Sequence, residues 1–350
     1  MRHQQPLHEA AVGEGWQEPG RELAFEQTVL RHLVHRAAVA EVFVTDAVVL
    51  GEGHFLVGSQ WPRDHALYHP DAQRRSDSLL FAETIRQSLV YLAHWHYRIP
   101  LTHRFVGYDL DFEITDPGAL WVGGRPMPVK LEAWWHWIDH KPPRRYGARL
   151  DVRFSVGERI CGRGGLRVVA LDERGYRILR GRGGPAGPLP AVPPAAPPGR
   201  LAPGLVGRLR AKDSVLAPGT TPDEWQLRVD LNHAILFDHP TDHLPMMVLL
   251  EGFRQLGHLL VHDAGTGRGT AAHTLVSAFI DCHAFGELDL ATRLVVREDT
   301  VTSSAAAAER RLCMEALQGD TAIATCRSVW ASAHRAVTEE RFPGLPLPCA

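Results

Sequence analysis

The chain has 350 residues, 45% hydrophobic and 22% charged, and its 38 Lys+Arg against 40 Asp+Glu leave a formal net charge of −2. That length predicts two domains rather than one core, and that charge balance argues against a nucleic-acid binder. No apolar run is long enough to span a bilayer, and the opening MRHQQPLHEAAVGEGWQEPG lacks the apolar core of a signal peptide, so the expected location is cytoplasmic, without membrane contact.

In chain order, residues 1–25 read as an N-terminal extension and 26–180 as a first domain. His54–Ser59 is strand-like, and Leu79–Trp95 is a helix apolar nearly all round, hence one wrapped by other structure. Arg104–Ile114 alternates, with Val106, Tyr108, Leu110, Phe112 and Ile114 on one face and Gly107, Asp109, Asp111 and Glu113 on the other. Ala148–Val156 alternates in the same way, and such period-two patterns predict half-buried antiparallel strands. The aromatic run Trp134, Trp135 and Trp137 is expected to pack a strand pair, with the wall of a ligand pocket as the functional alternative. Arg144–Arg182 is rich in arginine, and reads as a solvated sheet face or as a docking patch for an acidic partner. Residues 181–204 hold Gly or Pro at 14 of 24 positions and read as a linker that builds neither helix nor sheet. The second domain, 205–350, offers strand-like Trp225–Val229, a helix over Met247–Val261, and strands over Leu275–Ala284, Thr292–Arg297 and Thr321–Trp330.

The two helices share a motif. Glu83, Arg86 and Gln87 recur as Glu251, Arg254 and Gln255, 168 positions later. Residues at i, i+3 and i+4 share one helix face, and a carboxylate and a guanidinium inside an apolar helix are costly unless they pair or do chemistry. The spacing fits a tandem duplication rather than a solenoid. Each half then reads as strand, buried helix, and a run of long strands: an α+β pair of hotdog domains, in which an antiparallel sheet wraps a central helix and two copies pack edge to edge as a pseudo-dimer.

The triplets are either buried ion pairs that pin the halves together or catalytic groups. The second is favoured as a site because the loop DHPTDH (Asp238–His243) precedes it and His258 lies on the face of Glu251, where the first helix has Val90. His239 and His243 read as acceptor ligands, general acids or loop caps, and Asp238 and Asp242 as local caps. With 20 histidines in the chain, the placement of His69 fourteen residues before Glu83 carries little weight. The five cysteines are scattered without CxxC spacing, so neither disulfides nor a zinc site are expected. A metal site from Asp238, His239, Asp242 and His243 matches no established zinc spacing.

The stretches LVHRAAVAEVFVTD (Leu33–Asp46), FLVGSQWPRDHALY (Phe55–Tyr68), AETIRQ (Ala82–Gln87), LRVDLNHAILFDHPTDHLPMMVLLEGFRQ (Leu227–Gln255) and CMEALQGDTAIAT (Cys313–Thr325) resemble the AfsA-type A-factor biosynthesis proteins, double-hotdog enzymes that make γ-butyrolactone signals. The family's usual Pro-Gly before the second helix is Pro245–Met246 here, and its small pair after the Glu is Gly252–Phe253. The second motif is also similar to that of β-hydroxyacyl carrier-protein dehydratases, but no histidine stands at their spacing. The resemblance implies transfer of a β-ketoacyl group from an acyl carrier protein to a hydroxyl of dihydroxyacetone phosphate. It implies no organic cofactor or metal, because the donor brings an activated thioester. Free N–H groups at the start of a buried helix can polarise the carbonyl. In the assignment that follows, Glu251 is the base, with a pKa raised by apolar surroundings, Arg254 the phosphate anchor, and Gln255 an orienting group. His239 and His243 assist, and Glu83, Arg86 and Gln87 form a second, equivalent or degenerate site. The rivals are a thioesterase or dehydratase on the same carrier thioesters, and a non-catalytic acyl-binding protein. Further homo-oligomerisation stays open.

Overall fold

The computed structural model describes residues 22–183, 199–262, 273–304 and 307–332. Its helices are α1 (Leu79–Trp95), α2 (Glu173–Gly183) and α3 (Met246–Val261). Its strands are β1 (Val44–Gly51), β2 (His54–Trp61), β3 (Arg104–Ile114), β4 (Met127–Lys141), β5 (Arg145–Val156), β6 (Arg159–Leu171), β7 (Leu216–Pro218), β8 (Glu224–Leu227), β9 (His273–Cys282), β10 (Thr292–Ser304), β11 (Ala307–Gln318) and β12 (Thr321–Ser332).

All twelve join one antiparallel sheet in the order β1-β2-β4-β5-β6-β3-β9-β12-β11-β10-β8-β7. The second half repeats the first in reverse, so the chain is two hotdog domains joined at β3 and β9, where Asp109 to Glu113 run opposite Asp281 to Ser277. The joint hides two sheet edges that single domains would leave open.

Each central helix lies inside the curl of its own half. On α1 every side chain but Arg86 and Trp95 is buried. Phe81 stacks on Phe154 of β5, and Phe81 and Ile85 approach β6 closely because Gly162 and Gly164 carry no side chain there. A Cβ on Gly164 would stand 2.9 Å from Ile85 Cδ1. Gly164→Val is therefore expected to lower the unfolding free energy by roughly 1–3 kcal/mol through overpacking; an unchanged urea midpoint would mean that the helix can back away freely. On α3, Gly252 meets Leu227 and Gly257 meets the Trp330 indole in the same manner. Of the two departures from the family pattern, Met246 packs against Gly107 of β3, and Phe253 is buried in the core.

Three local expectations need correction. Asp109 and Glu113 were expected on a half-exposed face, yet both are buried. Strand β3 is central, so long side chains from β6 and from β5 beyond it lie over it: Arg149 of β5 contacts Asp109, Asp111 and Asp151 at 2.7–3.0 Å, Arg163 of β6 pairs with Glu113 at 2.8 Å, and Arg167 of β6 with Asp109 at 2.5 Å. These arginines therefore meet the sheet's own acids, which leaves little free positive charge for a docking patch. The predicted linker also begins late. Helix α2 runs to Gly183, because Tyr176 and Leu179 pack with Val106, Val169 and Leu171 on the outer face of the sheet. Pro203–Val206 forms a 3-10 turn, and residues 184–198 lie outside the described residues.

The tryptophan run packs β4 against its neighbours. Trp134 stacks on His54, Trp137 on His140, and Trp135 tilts against Tyr97 just beyond the end of α1.

Candidate active site

Each triplet is an ion-pair network around a buried glutamate, completed by an arginine absent from the motif. Glu83 is fully buried, and its Oε1 accepts from Arg36 Nη2 (2.6 Å), Arg86 Nη2 (2.7 Å) and Gln87 Nε2 (2.6 Å), while Oε2 accepts from Arg86 Nε (2.9 Å). Glu251 is equally buried. Arg208 donates to both its oxygens, Nε to Oε1 at 2.7 Å and Nη2 to Oε2 at 2.5 Å, and Gln255 Nε2 donates to Oε1 at 2.5 Å. Each Gln also closes its own half: Gln87 bonds Glu41 O and Phe43 N, and Gln255 bonds Asp213 O and Val215 N.

The two networks are built across the joint between halves. Arg36 Nη1 reaches Ile235 O of the second half at 3.4 Å, and Arg208 Nη1 reaches Leu67 O of the first at 2.8 Å. The loops that present these carbonyls are held alike. His65 Nδ1 accepts from Leu67 N and Tyr68 N while Nε2 faces Glu41; His233 Nδ1 accepts from Ile235 N and Leu236 N while Nε2 faces Asp213. The sequence carries the signal for these unforeseen residues. LVHR with Glu41 five residues beyond its Arg repeats as LVGR with Asp213, and Asp64-His65-Ala66-Leu67 repeats as Asn232-His233-Ala234-Ile235.

This crossing corrects the expected partnership of the DHPTDH loop, which serves the first triplet. Asp238 caps Ala37 N (2.6 Å) and Ala38 N (3.2 Å) and lies 3.9 Å from Arg36, and His239 stands beside Arg36 and Arg86. In exchange, Asp77 of the first half binds Arg208 at 2.6 Å. His243 belongs to neither network. Its Nδ1 bonds Asp242, which also accepts from Tyr176 of α2, and its ring meets Phe285. Arg180 of α2 strengthens that contact by pairing with Glu287 at 2.6 Å. His258 lies against Gly207 in the second network, and His69 bonds only its neighbour's carbonyl, Pro70 O. The described residues contain no cluster of His, Cys, Asp and Glu able to hold a metal, and no described helix is long and apolar enough to cross a membrane.

A family model described as the A-factor biosynthesis hotdog domain matches residues 19–172 and 191–332. The chain belongs to that family. Its curated relatives include the 2-oxo-3-(phosphooxy)propyl 3-oxoalkanoate synthase of Streptomyces virginiae, 39% identical over 229 residues that make up 65% of this chain and 75% of that one. The protein of the same name from Streptomyces griseus is 33% identical over 67% of this chain and 75% of its own. Among solved structures, the 12:0-ACP thioesterase from Umbellularia californica aligns with a TM-score of 0.44 and 13% identity, over 79% of this chain and 93% of that one.

Within this A-factor family member, charge decides which groups can move protons. Burial pushes the Glu83 carboxyl up, but Arg36 and Arg86 outweigh it and hold the group at about 2. The first glutamate is thus an anchored anion. Burial, then Arg208, lowers the Arg254 guanidinium from its ordinary value. Burial, then Arg86 and Arg36, lowers His239. His35 and His258 are held near 3, mainly by burial, aided at His35 by His94 and at His258 by Arg254.

These shifts predict acid lability. Unfolded histidine binds its proton near 6.5, whereas folded His35 and His258 do so only near 3. Between those values the unfolded chain holds more protons, so stability falls as pH falls, by roughly 2 kcal/mol per histidine at pH 4.5–5. Glu83 adds a lower window: its stabilisation is complete above 4.5 and is lost as pH drops toward 2. Thermal midpoints between pH 8 and pH 3 should decline in both windows, and a flat midpoint from pH 7 to pH 4.5 would contradict the histidine assignment.

Proposed function

We propose that the chain transfers a 3-oxoacyl group from an acyl carrier protein thioester to a hydroxyl of dihydroxyacetone phosphate, releasing the carrier thiol and forming the phosphate-bearing carboxylic ester that leads to γ-butyrolactone-type signals. Family membership and the names of relatives 33–39% identical support this reading. The observation that carries it to particular residues is an asymmetry between the two networks. The Arg86 side chain is 21% exposed beside His239, which is 50% exposed, whereas the Arg254 side chain is 9% exposed. A phosphate can reach the first cation and scarcely the second.

In this assignment Arg86 anchors the phosphate through its planar fork, since its Nη1 makes no hydrogen bond among the described residues. His239 donates to the same anion. Glu83 and Gln87 aim Arg86 and Arg36, and Asp238 ties the second half's loop to the site. Glu251, Arg254 and Gln255 form the closed counterpart, which holds the halves in register. His243 acts at a distance, by fixing the far end of the DHPTDH loop under α2.

The test is mass spectrometry of the purified chain with a β-ketoacyl carrier-protein thioester, with and without dihydroxyacetone phosphate. A 3-oxoacyl ester of dihydroxyacetone phosphate, formed only when the acceptor is present, supports transfer. Free acid or enoyl product would mean a thioesterase or dehydratase, and unchanged thioester a binding protein.

A further inference from the structure

A pair of histidines beside the first network takes no part in the roles above. His35 Nε2 lies 2.8 Å from His94 Nε2, and His94 Nδ1 lies 2.7 Å from the carbonyl oxygen of Ile99. A carbonyl only accepts, so His94 Nδ1 carries the hydrogen and His94 Nε2 is a lone pair. His35 Nε2 must then donate to it, which leaves the lone pair of His35 on Nδ1. That nitrogen has no hydrogen-bond partner among the described residues. Burial lowers both imidazoles, which favours their neutral forms, and the Ile99 carbonyl selects the tautomer of the pair. The result is a base oriented by a second residue, itself oriented by the main chain, as acyl transfer to a hydroxyl requires.

The backbone supplies an independent observation. His35 has φ 51°, the left-handed region that favours glycine, and the corresponding position of the second half is Gly207 at φ 62°. Each is preceded by a Val and followed by the Arg that grips the triplet's Glu. The first half thus tolerates a strained histidine where the second has the relaxed residue, and such strain is kept where a side chain has work to do. His35 also lies beside the first network: Arg86 Nη2 reaches the carbonyl of the preceding Val34 at 3.4 Å, and Phe105 meets the His35 ring edge-on at 5.2 Å.

We propose that His35 Nδ1 takes the proton of the acceptor hydroxyl, with His94 as its positioning residue. The proposal rests on the transfer reading above. As the hydroxyl proton passes to Nδ1, the hydroxyl oxygen bonds to the thioester carbonyl carbon. The C–S bond then breaks, and the imidazolium returns the proton to the departing thiolate, so the products are an ester and a thiol and His35 ends neutral. Burial and His94 do most to lower His35, with Arg86 and His239 adding to it, and a phosphate held by Arg86 would relieve that last, smaller part.

The decisive variant is His35→Gly, because Gly207 shows that glycine suits this backbone. Transfer is measured on the full chain with a β-ketoacyl carrier thioester and dihydroxyacetone phosphate. The kcat is expected to fall about 100- to 1,000-fold, with KM for the acceptor changed less than about threefold, and added imidazole should restore part of the rate. His94→Gln, whose side-chain carbonyl can accept the same hydrogen bond, should keep more activity than His94→Leu. A His35→Gly protein with an unchanged melting point and a kcat within about threefold of wild type overturns the base while leaving transfer intact. So does a large loss that imidazole does not relieve. A wild-type chain that forms no ester overturns the transfer reading, and this base with it.

Discussion

Arg208→Ala is expected to lower the unfolding free energy by about 4 kcal/mol. Arg208 is fully buried and serves four acceptors: both oxygens of Glu251, Asp77 Oδ2 and Leu67 O. Removing it strands two buried carboxylates from opposite halves. Arg254 cannot substitute, because its Nη2 is committed to the carbonyls of Val206 and Gly207 and its Nε stays 3.6 Å from Glu251. The loss should therefore come mainly from uncompensated charge rather than from the missing contact. Adding Glu251→Gln and Asp77→Asn to the Arg208→Met background should recover at least half of it. Urea denaturation of the series checks this. A single-variant loss below about 1 kcal/mol would mean that the network is relaxed enough for water to replace the arginine.

Arg86→Ala is expected to lower kcat/KM for dihydroxyacetone phosphate about 100-fold, equivalent to about 3 kcal/mol of lost charge-assisted bonding to the phosphate. The change should fall mostly in KM, because phosphate is bound alike before and during transfer. Stability should fall less than with Arg208, since Glu83 keeps Arg36 and Gln87 as partners. Arg254→Ala should behave in the opposite way, with the larger loss in stability and the smaller in acceptor KM. If the two variants exchange these signatures, the working site is the second network. Equal and small effects in both would remove the arginines from acceptor binding.

Several elements were plain in the sequence because their signals are local. The 3.6-residue pattern marked α1 over its full length and α3 to within a residue, and period two marked β3 from Arg104 to Ile114. Expectations about charge went astray where a side chain's fate depends on distant strands: Asp109 alternates as an outward residue, yet Arg149 and Arg167 cover it.

Taken alone, the sequence determined that the fold is duplicated, that each copy sets a Glu, an Arg and a Gln on one face of an apolar helix, and which family the chain resembles. Tertiary structure alone decided that Arg36 and Arg208 neutralise the two glutamates, that the DHPTDH loop crosses to the first triplet, and that the first arginine is the open one. The reason is separation along the chain. Arg36 meets Glu83 across 47 positions, Arg208 meets Glu251 across 43, and Asp238 meets Ala37 across 201. Helix and strand periodicity relate residues a few positions apart, whereas the two arginine pairings exist only once each half has folded around its own helix, and the Asp238 contact only once the halves have joined along β3 and β9.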